Sequence, residues 1–279
     1  MESSKTLNTN ILYSELETAG RLGNQLWEIA STIGIANDVN GHPVFPANWS
    51  YRPYFNVPDE FFEPLHTQSI NATDFVSHMD IRCKAYLQDY SLFKRVEDQI
   101  REWFTPSDEA KTILSKHLSD THQQWITEDS YVSLHVRRGD NVTHPPGFHP
   151  LVTLKYYQQA AAKFASDKIV VFSDDIPWCE QTLPEALQRD DLLFMRDGPA
   201  RGRDYIPEEY LADPALDWID LQLMALCHHH IIANSTYSWW GAFLGDNGRV
   251  VYPSVWFGKK LSYIDWTLMI PKEWEMVKC

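Results

Sequence analysis

Apolar residues occur in short runs along the chain, and their spacing predicts strands that alternate with helices. In the second half, strands are predicted at 131–136, 168–172, 231–233 and 249–252, with helices at 154–164 and 235–244. In the first half, a strand at 11–14 precedes a helix over 26–35, and further helices are predicted at 92–104 and from Pro106 onward. Such alternation is typical of a mostly parallel sheet covered on both faces. The pattern therefore predicts an α/β fold.

The length of 279 residues fits two modest domains. Polar residues crowd the stretch 123–128, directly before the first strongly apolar strand of the second half. We therefore predict an N-terminal α/β domain over 1–126 and a C-terminal Rossmann-like domain over 127–279.

Composition narrows the classes of partner. A net charge of −14 and a pI of about 5.1 disfavour nucleic acid and anionic membranes as main partners. No stretch reaches the roughly 18–20 apolar residues of a membrane-spanning helix, and the first ten residues lack the apolar core of a signal peptide. Cys83, Cys179, Cys227 and Cys279 are too scattered for a disulfide scaffold. We expect a soluble, cytoplasmic protein without a membrane span or a nucleic-acid partner.

Polar clusters follow three of the predicted strands. The first strand runs into 135–140, the second into 173–175, and the third into 234–238, which opens a helix. In open parallel sheets, ligands bind at the carboxyl ends of the strands. We therefore expect the three clusters to lie at one crevice.

Each cluster has its own chemistry. Arg137 and Arg138 offer planar, permanently charged donors that suit phosphate oxygens. The run 234–236 at a helix start combines hydroxyls, backbone N–H groups and a positive dipole end. Asp174 and Asp175 can accept hydrogen bonds from a guanine base or from ribose. Together, the clusters suit a nucleoside diphosphate.

Simpler interpretations exist for each cluster taken alone. The arginines could form an ion pair with Asp140, and the other two clusters could be helix caps. Asp174 and Asp175 could also hold Mg²⁺ in a metal-dependent sugar transferase. The run 227–230, Cys-His-His-His, is a poor metal site because adjacent side chains point in different directions, and a helix C-terminus rich in histidine is the favoured interpretation.

Four segments, taken in order, resemble motifs of the α-1,2-fucosyltransferases: Gly20–Leu26, His135–Asp140, Val171–Asp175 and Leu223–Ala242. The resemblance implies a GT-B fold, in which two Rossmann-like domains face each other across a cleft. It also implies inverting transfer of L-fucose from GDP-β-L-fucose to the 2-hydroxyl of a β-galactoside in an oligosaccharide or glycan, without a cofactor or a metal.

The same resemblance assigns roles to residues. Arg137 is expected to hold the β-phosphate and Asn24 to reach the fucose and the phosphate, while Asp174 and Asp175 would read the guanosine. The expected catalytic residues are Arg137, Asn24 and Asp140, and the expected donor-binding residues are His135, Arg138, Gly23, Ser173, Asp174, Asp175, Asn234, Ser235, Thr236 and Ser238. The base that activates the acceptor stays open between Asp140, His149, Glu28, Glu15, Glu17 and a path through water.

Some positions depart from the family pattern. Glu28 stands where glutamine is expected, and Asn141 stands where an aromatic residue is commoner. These departures leave the acceptor undefined. The segment 197–217 matches no motif. Two alternatives therefore remain beside the metal-dependent one. The first is a GDP-fucose transferase with α-1,6 or O-linked products, and the second is a non-catalytic carbohydrate-binding protein.

Overall fold

The computed structural model describes residues 9–16, 18, 20–64, 70–76, 86–117, 131–143, 147–195, 217–245 and 248–279. The chain divides into two compact units, the first formed by 1–105 with 267–270 and the second by 106–266 with 271–279. The predicted domain boundary between 126 and 127 lies outside the described residues and stays a prediction. Glu17 and 197–216 lie outside them too.

The first unit contains a four-stranded sheet whose neighbouring strands all run parallel. Its strands lie in the order β3-β2-β1-β4, with bounds β1 Asn10–Leu12, β2 His42–Pro46, β3 Phe62–Glu63 and β4 Ile70–Asn71. Helix α1, Leu22–Asp38, follows β1 and begins four residues before the predicted start, so the turn at Gly20 leads directly into it. Helix α2 covers only Glu97–Trp103 of the helix predicted over 92–104, after two short 3-10 turns.

Nearly the whole circumference of α1 is buried. An added Cβ at Gly34 would collide with the backbone at Leu92 and Phe93, so only glycine allows this close approach. Trp27 packs edge-on against Phe93, with 5.4 Å between the ring centroids. Polar residues of α1, among them Gln25 and Glu28, are therefore carried into the core of the unit.

The second unit contains a six-stranded sheet in the order β10-β9-β8-β5-β6-β7, again with parallel neighbours. Its strands are β5 Tyr131–Val136, β6 Lys168–Ser173, β7 Leu193–Phe194, β8 His229–Ile231, β9 Val250–Pro253 and β10 Glu275–Val277. All six residues of β5 are buried, as a strand covered on both faces requires. The predicted α/β fold with parallel sheets is confirmed.

The second unit also contains helices. Their bounds are α3 Asp108–His117, α4 Gly139–Thr143, α5 Leu154–Ala161, α6 Ile176–Leu187, α7 Trp218–Ala225 and α8 Thr236–Leu244. Tyr156 and Tyr157 of α5 and Leu183 of α6 pack with the buried residues of β5 and β6 in one core. Among the described residues, no helix has both the length and the apolar character needed to cross a membrane.

The histidine run differs from its prediction. Helix α7 ends at Ala225, and His229 and His230 lie in strand β8 instead of at a helix C-terminus, so β8 also begins two residues before the predicted 231. Alternation along the strand separates the two side chains. His230 is completely buried and its Nδ1 lies 2.8 Å from Ser133 Oγ, whereas His229 Nδ1 accepts a hydrogen bond from the Arg249 N–H.

Candidate active site

The strand order of the second sheet brings the three predicted polar clusters to one edge. Strand β5 pairs with β8 on one side and with β6 on the other, and all three run parallel. Their carboxyl ends therefore lie side by side, with Arg137 and Arg138 directly after the middle strand of the three, β5. The cluster at 173–175 follows β6, and the cluster at 234–238 follows β8. The predicted convergence of the three strand ends is confirmed.

Asp174 connects the end of β6 to the turn after β5. Its Oδ1 accepts hydrogen bonds from the backbone N–H groups of Arg138, at 2.8 Å, and Gly139, at 3.0 Å. Its buried Oδ2 lies 2.7 Å from Arg137 Nη1 in an ion pair. An added Cβ at Gly139 would come within 2.5 Å of this Oδ2, so glycine lets the carboxylate approach the turn closely.

The donors around Asp174 decide its charge. Burial opposes ionisation of the carboxyl, but the charge of Arg137, the two backbone N–H groups and His135 together outweigh burial and lower the pKa of Asp174 below its ordinary value. Asp174 is therefore ionised at neutral pH, and Arg137 extends from β5 beside a fixed negative charge.

Arg138 is held by a second acidic side chain and by an aromatic ring. Its Nε donates to Asp175 Oδ2 at 2.9 Å, and its guanidinium carbon lies 3.8 Å above the centre of the Trp178 ring. Asp175 Oδ1 also accepts from the Trp178 N–H and caps the N-terminus of α6. Ser173 Oγ accepts from the Asp175 N–H at 3.0 Å. The cluster after β6 thus fixes the orientation of both arginines.

The helix after β8 begins differently. Ser235 occupies the N-cap position of α8, but its side chain makes no capping hydrogen bond, whereas α6 is capped by a carboxylate. The first N–H groups of a helix lack partners within the helix and carry a partial positive charge. Thr236 follows in the first turn, and Ser238 is buried with its Oγ donating to the Ser235 carbonyl at 3.3 Å. Of these two helix starts, α8 is the one suited to an anion.

Two buried side chains set the path of the turn before α8. Asn234 donates from Nδ2 to the carbonyls of Pro150 and Trp256, at 3.0 and 3.1 Å. The hydroxyl of Tyr156, which is completely buried, lies 2.7 Å from the Ile232 carbonyl and 3.1 Å from that of Val251. The amide nitrogen of Asn234 therefore binds protein carbonyls, and the side chain fixes the path of the turn.

His135, the first residue of the cluster at 135–140, contacts the helix that follows β8. It is buried on β5, and its ring centroid is 5.9 Å from that of Tyr237 in α8. This contact is direct evidence that the end of β5 and the first turn of α8 are adjacent.

The predicted residues of the first unit lie at the start of α1. Gly23 is buried there and Asn24 is half-buried, and Asn24 Oδ1 accepts from Gln88 Nε2 at 3.1 Å. Gly20 has a φ of +76°, and an added Cβ would collide with the Asn24 side chain, so glycine is required on both counts. The glycine turn thus sets the position of Asn24.

The candidate acceptor bases are in unlike environments. Glu28 is completely buried in the first unit, closed to an acceptor from solvent, while Glu15 is exposed. His149 is half-buried, with 5.7 Å between its ring and that of Phe257. Asp140 lies in α4, and its side chain is outside the described part of the chain, as is Glu17. The base therefore stays open.

No group of three or more His, Cys, Asp or Glu side chains within the described part of the chain is arranged to hold a metal ion. Asp174 and Asp175 are each paired with an arginine, an arrangement that suits a cation poorly. Independence of metals stays an expectation.

Comparison with known proteins adds an independent observation. The model of "Glycosyl transferase family 11" matches residues 62–257, which is more than half of the chain. The chain belongs to glycosyl transferase family 11. The matched region includes every cluster at the edge of the second sheet and leaves the glycine turn outside it.

The similar proteins are named as transferases of fucose or colitose. An α-1,2-colitosyltransferase of Escherichia coli is 32% identical over 183 residues, covering 63% of this chain and 56% of the relative. Galactoside α-(1,2)-fucosyltransferase 2 of Pongo pygmaeus is 26% identical over 261 residues, covering 85% and 70%. A solved structure of NodZ α-1,6-fucosyltransferase soaked with GDP-fucose aligns with a TM-score of 0.48 at 13% identity, covering 89% of this chain and 96% of that one. The chain spans 56% and 58% of the first two curated relatives.

Sequence reasoning assigned no role in this candidate site to Trp178 or Tyr156. The ring of Trp178 lies under Arg138. The signal in the sequence was its position three residues after the N-cap Asp175, in the first turn of α6. Tyr156 lies in the middle of α5, and nothing in its sequence context separates it from an ordinary core tyrosine.

Proposed function

We propose that this chain is a fucosyltransferase that moves L-fucose, with inversion, from GDP-β-L-fucose to the 2-hydroxyl of a β-galactoside. The observation that carries the proposal is the position of Arg137. It directly follows strand β5, with a helix start that has no side-chain cap after β8 on one side and the ionised Asp174 after β6 on the other. A diphosphate held by Arg137 and the α8 N-terminus would meet positive groups from two directions.

The α-1,2 linkage is supported by the names of relatives. The colitosyltransferase and the galactoside fucosyltransferase are both named for α-1,2 transfer, although identity is only 32% and 26%. We also propose that the two compact units are the two Rossmann-like domains of a GT-B enzyme, which acts in the cytoplasm.

The chemistry that the site would perform is a displacement at the anomeric carbon. The bond from this carbon to the diphosphate breaks, the acceptor oxygen forms the new bond, and the acceptor proton passes to a base. GDP leaves with an additional negative charge. Arg137 and the dipole of α8 would stabilise that charge, and in many enzymes such electrostatic stabilisation supplies most of the rate enhancement. Asn24 would reach the fucose and the phosphate, Gly23 would belong to the donor-binding residues, and Asp140 is one candidate for the base.

Transfer of colitose in place of fucose is a second candidate. It is favoured by the 32% identity to a colitosyltransferase, which exceeds the identity to the galactoside fucosyltransferase. Both candidates would use the nucleotide site proposed above and would differ in the sugar that is transferred.

The test is transfer from GDP-fucose, in EDTA, to a panel of β-galactosides, with the product linkage read by NMR. A 2-linked α-fucoside supports the proposed donor, linkage, stereochemistry and independence of metals together. Parallel reactions with a GDP-linked colitose donor decide between the two sugars. Release of GDP without transfer would indicate a competent donor site and an unsuitable acceptor. Absence of both release and transfer, with activity regained in Mg²⁺, would overturn the metal-free mechanism.

A further inference from the structure

Gln88 is a buried polar residue whose side chain reaches the start of helix α1. It is 6% exposed, and its Nε2 donates to Asn24 Oδ1 at 3.1 Å. The two ends of an amide are not equivalent, because the oxygen only accepts hydrogen bonds and the nitrogen only donates them. The oxygen of Asn24 therefore lies toward Gln88. Its Nδ2 lies close to the glycine turn, where an added Cβ at Gly20 would come within 2.5 Å of it.

The backbone directly before Gln88 is held in an unusual conformation. Leu87 has a φ of +50°, which is unfavourable for a residue with a Cβ, and it is completely buried. Its carbonyl accepts from Ser31 Oγ of α1 at 2.8 Å and from the Asp89 N–H at 2.9 Å. Strained residues of this kind persist only where the surrounding structure holds them, and they cluster at functional sites. The helix that carries Asn24 thus also holds the backbone that carries Gln88.

These contacts fix Gln88 at both ends of its side chain. Asn24 and Ser31 lie two turns apart on one face of α1, and both contact the segment 87–88. The close approach of the Leu92 backbone to Gly34, in the next turn of the same helix, keeps the following segment against α1. A side chain that is already ordered can hold its neighbour without a further loss of conformational freedom when a ligand binds.

The orientation of the Asn24 amide matters for a phosphate ligand. A phosphate oxygen without a proton only accepts hydrogen bonds, so Asn24 can bind it only through Nδ2. A reversed amide would direct its carbonyl oxygen at the anion and repel it. The hydrogen bond from Gln88 favours the binding orientation before the ligand arrives, as preorganised stabilisation of charge requires.

We propose that Gln88 is a positioning residue, which holds the Asn24 amide with its N–H groups toward the phosphate of the sugar donor. The proposal rests on the proposed function, in which Asn24 reaches the fucose and the phosphate. Gln88 acts through Asn24 and contacts neither the donor nor the acceptor.

A double-mutant cycle tests whether Gln88 acts through Asn24. Gln88→Met keeps an unbranched side chain of similar length and removes the hydrogen bond. We expect kcat for transfer from the GDP-linked donor to fall about 10- to 100-fold, the scale of a misplaced catalytic group. The KM for the donor should change by less than about 3-fold, because the N–H donor stabilises charge that grows in the transition state. In the Asn24→Ala background the same substitution should change kcat by less than about 2-fold, since no amide is left to orient.

Two further variants complete the experiment. Asn56→Ala is the control, because it removes another amide hydrogen bond of the first unit, from Asn56 Nδ2 to Thr105 Oγ1, and kcat should stay within about 2-fold of wild type. Ser31→Ala releases the Leu87 carbonyl and leaves both amides in place, so it serves if Gln88→Met fails to fold. Its kcat should fall about 2- to 10-fold, and only where Asn24 is present.

A role of Gln88 in folding alone predicts another result, because kcat would then fall by the same factor with and without Asn24. That result would overturn the positioning role, as would an unchanged kcat in Gln88→Met, or in Ser31→Ala where it replaces that variant. In each of these cases the wild type still transfers sugar, and the proposed function stands. A wild-type protein that transfers sugar from neither GDP-linked donor would reject the proposed function, and the role of Gln88 with it.

Discussion

Asp174 and Glu28 show how a half-buried carboxyl group in the second unit differs from a completely buried one in the first. Asp174 in the second unit meets a guanidinium and two backbone N–H groups, which hold its pKa below the ordinary value despite burial. Glu28 in the first unit is completely buried, and burial raises its pKa to about 9; a hydrogen bond with Tyr13 opposes the shift and the charge of Glu15 adds to it. At neutral pH the first is a carboxylate and the second a carboxylic acid.

Burial opposes ionisation of both carboxyl groups, and the difference in charge follows mainly from their partners. A buried charge persists only where countercharges and donors replace its hydration, and otherwise the group takes the neutral form. The edge of the second sheet contains such donors because three strand ends converge there, whereas α1 is packed mainly by apolar and aromatic residues. The ion pairs of Arg137 and Arg138 thus lie at the edge of the second sheet, where an anionic ligand would bind.

Removal of Arg137 should have the largest effect. Arg137→Ala deletes the cation proposed to stabilise the leaving diphosphate, and we expect turnover to fall about 100- to 1,000-fold, or about 2.7–4 kcal/mol of transition-state stabilisation. It also removes the countercharge of Asp174, so the pKa of that carboxyl should rise. Initial rates with saturating GDP-fucose measure the first effect.

The control for this variant is Arg249→Ala, which breaks an exposed ion pair with Glu275 in the same unit. Its turnover should remain within a few-fold of wild type. Turnover of Arg137→Ala in that same range would remove Arg137 from the mechanism.

Replacement of Glu28 tests the other member of the comparison. The folded state keeps its proton up to about pH 9, whereas the unfolded state releases it near pH 4.5, so stability falls as pH rises through this interval. Glu28→Gln cannot ionise and should be more stable than wild type at pH 7 by about 3 kcal/mol. Urea unfolding at pH 5, 7 and 8.5 measures the gain, which should grow with pH.

Glu15→Gln is the matched control for this effect, because Glu15 is an exposed neighbour of the same buried group. It should change the free energy of unfolding by no more than about 0.5 kcal/mol. A gain for Glu28→Gln that does not depend on pH would mean that Glu28 is not protonated in the folded protein.

His230 should give the opposite dependence on pH. Burial, with smaller contributions from His229 and His228, lowers the pKa of His230 to about 3, so the folded state stays neutral while the unfolded state gains a proton below about pH 6.5. Stability of the second unit should thus fall by about 1.4 kcal/mol for each pH unit below 6.5, down to about pH 3. Amide exchange in β8, corrected for intrinsic rates, reports this loss. Protection in β8 that stays constant from pH 6.5 to pH 4.5 would contradict it.

Sequence reasoning located the edge of the second sheet but not the pairing along it. Polar residues after buried parallel strands predict a shared crevice, and the strands ending at Val136 and Ser173 bear this out. Which carboxylate meets which arginine depends on the register between strands that are far apart in sequence, and the sequence pattern does not contain it. The burial of Glu28 was also hidden, because α1 is covered on nearly every face and helical periodicity marks no inward side.

Replacement of Trp178 should have the smallest effect on activity. Its ring lies under the guanidinium of Arg138, and such a contact contributes about 0.5–1 kcal/mol at a partly exposed site. Trp178→Leu should therefore lower kcat/KM for GDP-fucose about 2- to 5-fold, while Trp178→Phe, which keeps an aromatic face, should lose less. If both variants lose the same amount, the ring acts only by filling space. A graded loss would mean that the site orients its cations with an aromatic ring as well as with carboxylates.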